Sequence, residues 1–141
     1  MTSKTIATLI VLLSTFAMMR VASGTAQQAA ADVRGTWSGT FFSKHSNVEP
    51  FTMTVVITPN ASGHLVGSSS LNSECLKGAQ LQVTVTGPKV VLAGSDEEGD
   101  SLTVRGTLDS TGTLLTTSYI LNGSASGRCE TDDGTGNLGK R

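Results

Sequence analysis

Hydrophobic and polar positions alternate along most of the chain from residue 33 onward. In residues 33–42 (VRGTWSGTFF), Val33, Gly35, Trp37, Gly39 and Phe41 share one face at period two, the pattern of a half-buried strand. Residues 51–58 (FTMTVVIT) repeat it, with Phe51, Met53, Val55 and Ile57 inward and Thr52, Thr54 and Thr58 outward. PNASG at 59–63 is a turn by composition, because Pro presets φ and Asn and Gly accept left-handed conformations, and a third strand follows over 64–70. Residues 71–79, which hold Cys75, read as a loop. Residues 80–86 (QLQVTVT) put Leu81, Val83 and Val85 on one face; Gly87-Pro88 turns the chain into a fifth strand over 89–94. Residues 95–100 (SDEEGD) read as an exposed loop, since four carboxylates so close together do not share a dry site. Residues 101–108 and 113–121 form a hairpin around DSTG at 109–112. A last strand is expected over 125–130, and the tail can add a short pairing segment.

These segments amount to about eight short strands with no amphipathic helix between them, an all-β antiparallel meander. It is either closed as a small barrel or folded as a β-sandwich. Closure is favoured physically, because a small Thr-rich sheet with open edges is a template for aggregation. Gly35, Gly39, Gly67, Gly94 and Gly106 lie within or beside strands, where they permit a narrow barrel to coil tightly. The segments ITPNASGHLVGSSSLNSEC and LDSTGTLLTTSYILNGSASGRCE echo each other: strand, turn, strand, then a Cys beside a Glu. They are either an old duplication or two similar hairpins.

The first residues follow another logic. A positively charged start with Lys4 precedes an apolar run over 5–19, too short for a comfortable transmembrane span and stopped by Arg20. Small residues at Ala22, Gly24 and Ala26 fit a signal-peptidase site, with Ala30 and Ala31 as alternatives. The expected organisation is a signal peptide over 1–26, a flexible leader over 27–32 and one β domain over 33–141. It places the protein outside the cytoplasm, secreted or periplasmic, with no membrane span after cleavage. No cysteine lies near the cleavage region, so a lipid anchor is not supported.

Composition agrees with strands rather than helices: 16 Gly, 3 Pro, 4% aromatic residues and 15% charged residues among 141, with Ser and Thr abundant. The formal net charge of −1 includes Lys4 and Arg20, so the domain itself is more acidic. Basic residues Arg34, Lys44, Lys77, Lys89, Arg105 and Arg128 are scattered singly, which argues against nucleic acid as a partner. Cys75 and Cys129 are the only cysteines, and an even count in an exported chain reads as a disulfide.

Little else points to chemistry. His45 and His64 stand in polar turns without zinc-ligand spacing, and no serine sits in a nucleophile elbow, so no catalytic residue, metal site or cofactor is expected. The acidic runs Asp96, Glu97, Glu98, Asp100 and Glu130, Asp132, Asp133 lack the calcium-loop pattern and read as solvated loops. Asn60-Ala61-Ser62 and Asn122-Gly123-Ser124 match the glycosylation sequon. Trp37, Phe41, Phe51, Met53 and Tyr119 supply most of the large apolar surface, either as plain core or as the floor of a ligand cavity.

The opening V-x-G-x-W-x-G, Val33 to Gly39, resembles the first-strand signature of calycin-type barrels such as lipocalins and avidins. The resemblance implies that Trp37 packs across the closed end of a barrel against an Arg from a late strand, Arg128 or Arg105. The aromatic-rich biotin site of avidins is missing here. The order W-x-G, a Phe-led strand, G-x-[LV]-x-G, a mid-chain Cys and a terminal G-x-C-x-x-D-x-G (Gly127, Cys129, Asp132, Gly134) is similar to small exported bacterial β-proteins. That likeness implies an envelope location and a disulfide, and no activity. The expected function is a non-enzymatic binding or structural protein of the cell envelope, taking a small apolar ligand or a protein partner. The alternative is a protease inhibitor acting through residues 25–33.

Overall fold

The computed structural model describes residues 30–141; the signal peptide expected over 1–26 and the first part of the leader lie outside the described residues. Eight strands follow in order: β1 (Gly35–Ser43), β2 (Phe51–Pro59), β3 (Leu65–Leu71), β4 (Gln80–Thr86), β5 (Lys89–Ser95), β6 (Ser101–Leu108), β7 (Leu114–Asn122) and β8 (Asp132–Lys140). Each pairs antiparallel with its sequence neighbours and β1 pairs with β8, so the meander closes into a barrel rather than a sandwich. The paired rows spiral as closure requires. One outward row runs Thr86, Lys89, Thr107, Thr116, Asn137, from the rim at β4 to well inside β8.

Period two decides what fills the barrel. Trp37, Phe41, Met53, Val55, Ile57, Leu81, Leu92, Leu102, Val104, Leu115 and Leu138 point inward and are essentially inaccessible. Each such side chain contributes roughly 1.5–3 kcal/mol of burial. Outward positions carry most of the strand threonines and serines, including the cross-strand row Ser38, Thr54, Ser70; Ser69 and Thr117 point inward.

One strand lies elsewhere than the hydrophobic pattern places it. Residues 125–130 are part of the loop between β7 and β8, and the closing strand is Asp132–Lys140. Its inward positions begin Asp132, Gly134, Gly136, which carry no apolar signal. Rings from the flanking strands take up the room: a Cβ added at Gly136 would lie 2.7 Å from Phe41 Cδ1, and one at Gly134 would lie 2.7 Å from Tyr119 Cε1.

The two ends of the barrel differ. At the end where β1 begins, the chain crosses the opening before turning into β1 at Gly35, whose φ of 116° suits glycine. Val33 is fully buried there, and Trp37 Nε1 donates to its carbonyl at 2.8 Å. Asp32 pairs with Arg34 at 2.8 Å, its carbonyl accepts from Lys140 Nζ at 3.0 Å, and Ala31 packs against the core. Trp37 thus lies under the chain that closes this end. Its cationic neighbour is Lys140, 5.5 Å from the ring centroid, not Arg128 or Arg105. The register explains the difference: Trp37 faces Lys140 across the β1–β8 seam, Arg105 points outward, and Arg128 stands in a loop at the opposite end.

Candidate functional site

The opposite end carries the loops 44–50, 72–79, 96–100 and 123–131, three of them longer than any at the plugged end. β3 and β7 stand on opposite sides of an eight-strand ring, yet the loops that follow them meet, joined by Cys75–Cys129 with Cα atoms 4.8 Å apart. The expected disulfide is therefore a strap across the barrel mouth. Beside Cys75, Leu76 is fully buried with a left-handed φ of 56°, a conformation a non-glycine residue keeps only where its surroundings hold it.

A third loop is stitched to the strap by Asp100. Sequence patterning places Asp100 in an exposed loop, but it is 0% exposed. Its Oδ1 accepts the Ser124 amide at 2.7 Å, and its Oδ2 accepts the amides of Arg128 at 2.7 Å and Cys129 at 2.9 Å. The amide of Ser124 first, then those of Arg128 and Cys129, hold its carboxyl below the usual carboxylate range against the opposing effect of burial. Ser124 Oγ also donates to the Glu98 carbonyl at 2.6 Å. One carboxylate is dry because backbone amides replace water, while its neighbours Glu97 and Glu98 remain exposed. Carboxylate oxygens of Asp96, Glu98 and Asp100 lie within 4.8 Å of one another, but both oxygens of Asp100 are already taken by amides.

Four of the five candidate ligand residues converge just inside this mouth. Phe41 and Phe51 stack with centroids 5.2 Å apart, Tyr119 meets both edge-on at 5.5 and 5.2 Å, and Met53 occupies the next inward position on β2. Trp37 is set apart, toward the plugged end. Phe51 is half-buried and the others are buried. Beneath the loops, Tyr119 Oη donates to Asp132 Oδ2 and Ser43 Oγ to Asp132 Oδ1, each at 2.5 Å. Burial, with the Asp132 carboxylate beside it, pushes the Tyr119 phenol well above its ordinary pKa. Sequence reasoning missed Ser43 and Asp132 as partners, since they are 89 residues apart and meet only when β8 closes the barrel. Ser69 Oγ, inward on β3, is buried with no hydrogen-bond partner among the described residues.

The charge on the molecule is sharply polarised. Of the 11 carboxylates, only Asp32 and Asp109 belong to the plugged end. The other nine lie on the mouth loops or at the start of β8. The three lysines and arginines there among the described residues are all engaged: Lys44 with Asp133 at 2.7 Å, Lys77 with Glu74 at 3.0 Å, Arg128 with Glu74 at 3.3 Å and Glu98 at 3.6 Å. Lys44 first, and then His45 at 3.2 Å, lower the Asp133 pKa. Glu49, Glu97 and Glu130 are exposed and outside these ion pairs. Arg34, Lys89, Lys140 and Arg141 belong to the plugged end. A depression of about 410 Å³ between the strapped loops is lined by Glu74, Lys77, Asp96, Glu97, Glu98 and Arg128.

The outer wall beside the mouth is apolar at two points. Phe42 is 56% exposed and Ile120 50%. They flank β8 on either side, paired with Thr135 and Asp133 of that strand, and Val48 is exposed in the adjoining loop. Ser43 bonds to Asp132 and to the backbone amide of His45, while the His45 ring faces Asp133. These hydrogen bonds do not join serine, imidazole and carboxylate in the chain that acyl transfer uses. Comparison with protein-family models, with curated proteins and with solved structures finds no match to this chain.

Proposed function

We propose that the protein is an exported, non-enzymatic binding module that engages a macromolecular partner with the strapped end of its barrel. The observation that carries this reading is the fixing of three loops by one disulfide and one buried carboxylate, over an interior already filled by side chains. Loops ordered before contact lose little conformational freedom on binding, so preorganisation of this kind favours recognition. Export is supported by the signal-like N-terminus and by the disulfide, which persists in oxidising compartments. A photo-crosslinker placed at Glu130, exposed on the strapped loop before β8, and, separately, at Thr111 on the plugged end tests the reading in the native extracytoplasmic fraction. A discrete macromolecular adduct is expected from position 130 and none from 111. Equal adducts from both, or none from 130, would overturn it.

Ser69 favours a second reading, a calycin-like barrel that admits a small, mainly apolar ligand with one hydrogen-bonding group toward Phe41, Phe51, Met53 and Tyr119. An unpartnered buried hydroxyl costs about 1–3 kcal/mol, which such a group would offset. Native mass spectrometry of the secreted protein decides this point: a retained small molecule supports it, and the bare chain mass opposes it.

A further inference from the structure

We infer that the partner is a cationic protein segment carrying an apolar side chain, and that it docks on the wall beside the mouth with Phe42 as its anchor. The inference rests on the proposed binding role and adds the chemistry of the partner. Two independent features meet here. The first is charge: among the described residues the cations of the mouth are already bound to its carboxylates, so the exposed surplus there is acidic, with Glu49 beside Val48 and Glu130 just before β8. An approaching surface of the same sign is repelled, whereas lysines and arginines are drawn in and held in register.

The second feature is shape and polarity. Exposed Phe42 and Ile120 straddle β8, where only Thr135 and Asp133 stand between them on the outer face. Asp133 is paired with Lys44 at 2.7 Å, so the strip between the two apolar side chains carries no free charge. An aromatic side chain ringed by polar groups is the usual anatomy of an energetic centre in an interface. The opposite end has excess cations and would repel the same partner, so docking has one polarity along the barrel axis.

Three short synthetic peptides serve as probes for the full oxidised protein: alternating lysine and leucine, lysine and serine, and glutamate and leucine. Binding is followed by fluorescence polarisation and mapped by amide chemical shifts. The lysine–leucine peptide is expected to bind, to shift residues around Phe42, Ile120 and Glu49, and to weaken as salt is raised. Phe42→Ser, more than half exposed and outside the core, should leave the protein folded, as its circular dichroism checks, and weaken binding about tenfold. Lys89→Glu at the far end should change nothing. The lysine–serine peptide should bind about tenfold less tightly, and the glutamate–leucine peptide not at all. Equal binding of the glutamate–leucine peptide at the Phe42 wall would overturn the cationic partner and leave the docking end standing. Binding mapped to the plugged end would overturn both. Absence of binding by all three, or indifference to Phe42→Ser, would overturn the inference alone.

Discussion

Replacing Gly136 by alanine asks whether the glycines of the closing strand are sockets for aromatic rings. The added Cβ would stand 2.7 Å from Phe41 Cδ1, 2.8 Å from Phe41 Cγ and 2.7 Å from the Thr40 carbonyl oxygen, whereas ordinary contact begins near 3.4 Å. The ring is held by Phe51 and Tyr119, and the oxygen belongs to the β1 backbone in the seam that closes the barrel, so neither moves freely. Forcing such a contact costs about 1–3 kcal/mol. Gly139, three residues further on in the same strand, is the control, because a Cβ there meets only Ser38 O at 3.9 Å. Alanine at 139 should be neutral or stabilise by up to about 1 kcal/mol, since it loses less chain entropy on folding. Urea denaturation of the oxidised proteins, read as midpoint shifts at constant slope, separates the two. Adding Phe41→Leu to Gly136→Ala should recover part of the loss, a coupling of at least about 0.5 kcal/mol in a double-mutant cycle. A Gly136→Ala protein as stable as wild type, or a Gly139→Ala protein equally damaged, would refute the socket.

Trp37→Ala removes a fully buried indole and its bond to the Val33 carbonyl, and should cost about 3–5 kcal/mol in thermal unfolding with the disulfide intact; an unchanged melting temperature would exclude a plug. The disulfide closes a loop with a sequence separation of 54, so replacing both cysteines by serine should cost about 4 kcal/mol, and non-reducing peptide mapping of native protein should recover one Cys75–Cys129 peptide and no free thiols. The Asp100 carboxyl sits below its ordinary value of 3.8 in the folded state, so its contribution is present above that pH and is lost as acid takes the pH down through the depressed folded value. Asp100→Asn should be destabilised at neutral pH and show a flatter fall in stability below pH 3.8 than wild type, and parallel acid profiles would contradict that role.

Six of the first seven strands were legible because their inward positions hold large apolar residues at period two, while β3, with Gly67 and Ser69 inward, was placed by the PNASG turn before it. The eighth was not, since its inward positions hold glycines that make room for Phe41 and Tyr119 and leave no trace in its own pattern. The same long-range pairing explains the partner of Trp37: Lys140 faces it only through the β1–β8 register, which no local motif encodes. Of the candidate site, the disulfide followed from counting cysteines. Asp100 looked like its exposed acidic neighbours, because the amides that satisfy it come from a loop 24 to 29 residues further on. The polarity of charge along the barrel axis appears only once successive loops are known to alternate between the two ends.

Barrel closure joins the first strand to the last, with Trp37 beside Lys140, so nearly the whole domain must be free before the ring can shut. A chain that emerges from a ribosome or a membrane pore with its N-terminus first presents seven strands as an open trough with two bare edges. β8, poor in apolar side chains of its own, gains its burial from the rings of β1 and β7 that wait on either side. It therefore acts as a zipper rather than as a nucleus, and contacts of such long sequence separation form slowly. Until β8 arrives, the bare edges are at their most vulnerable to pairing with another copy.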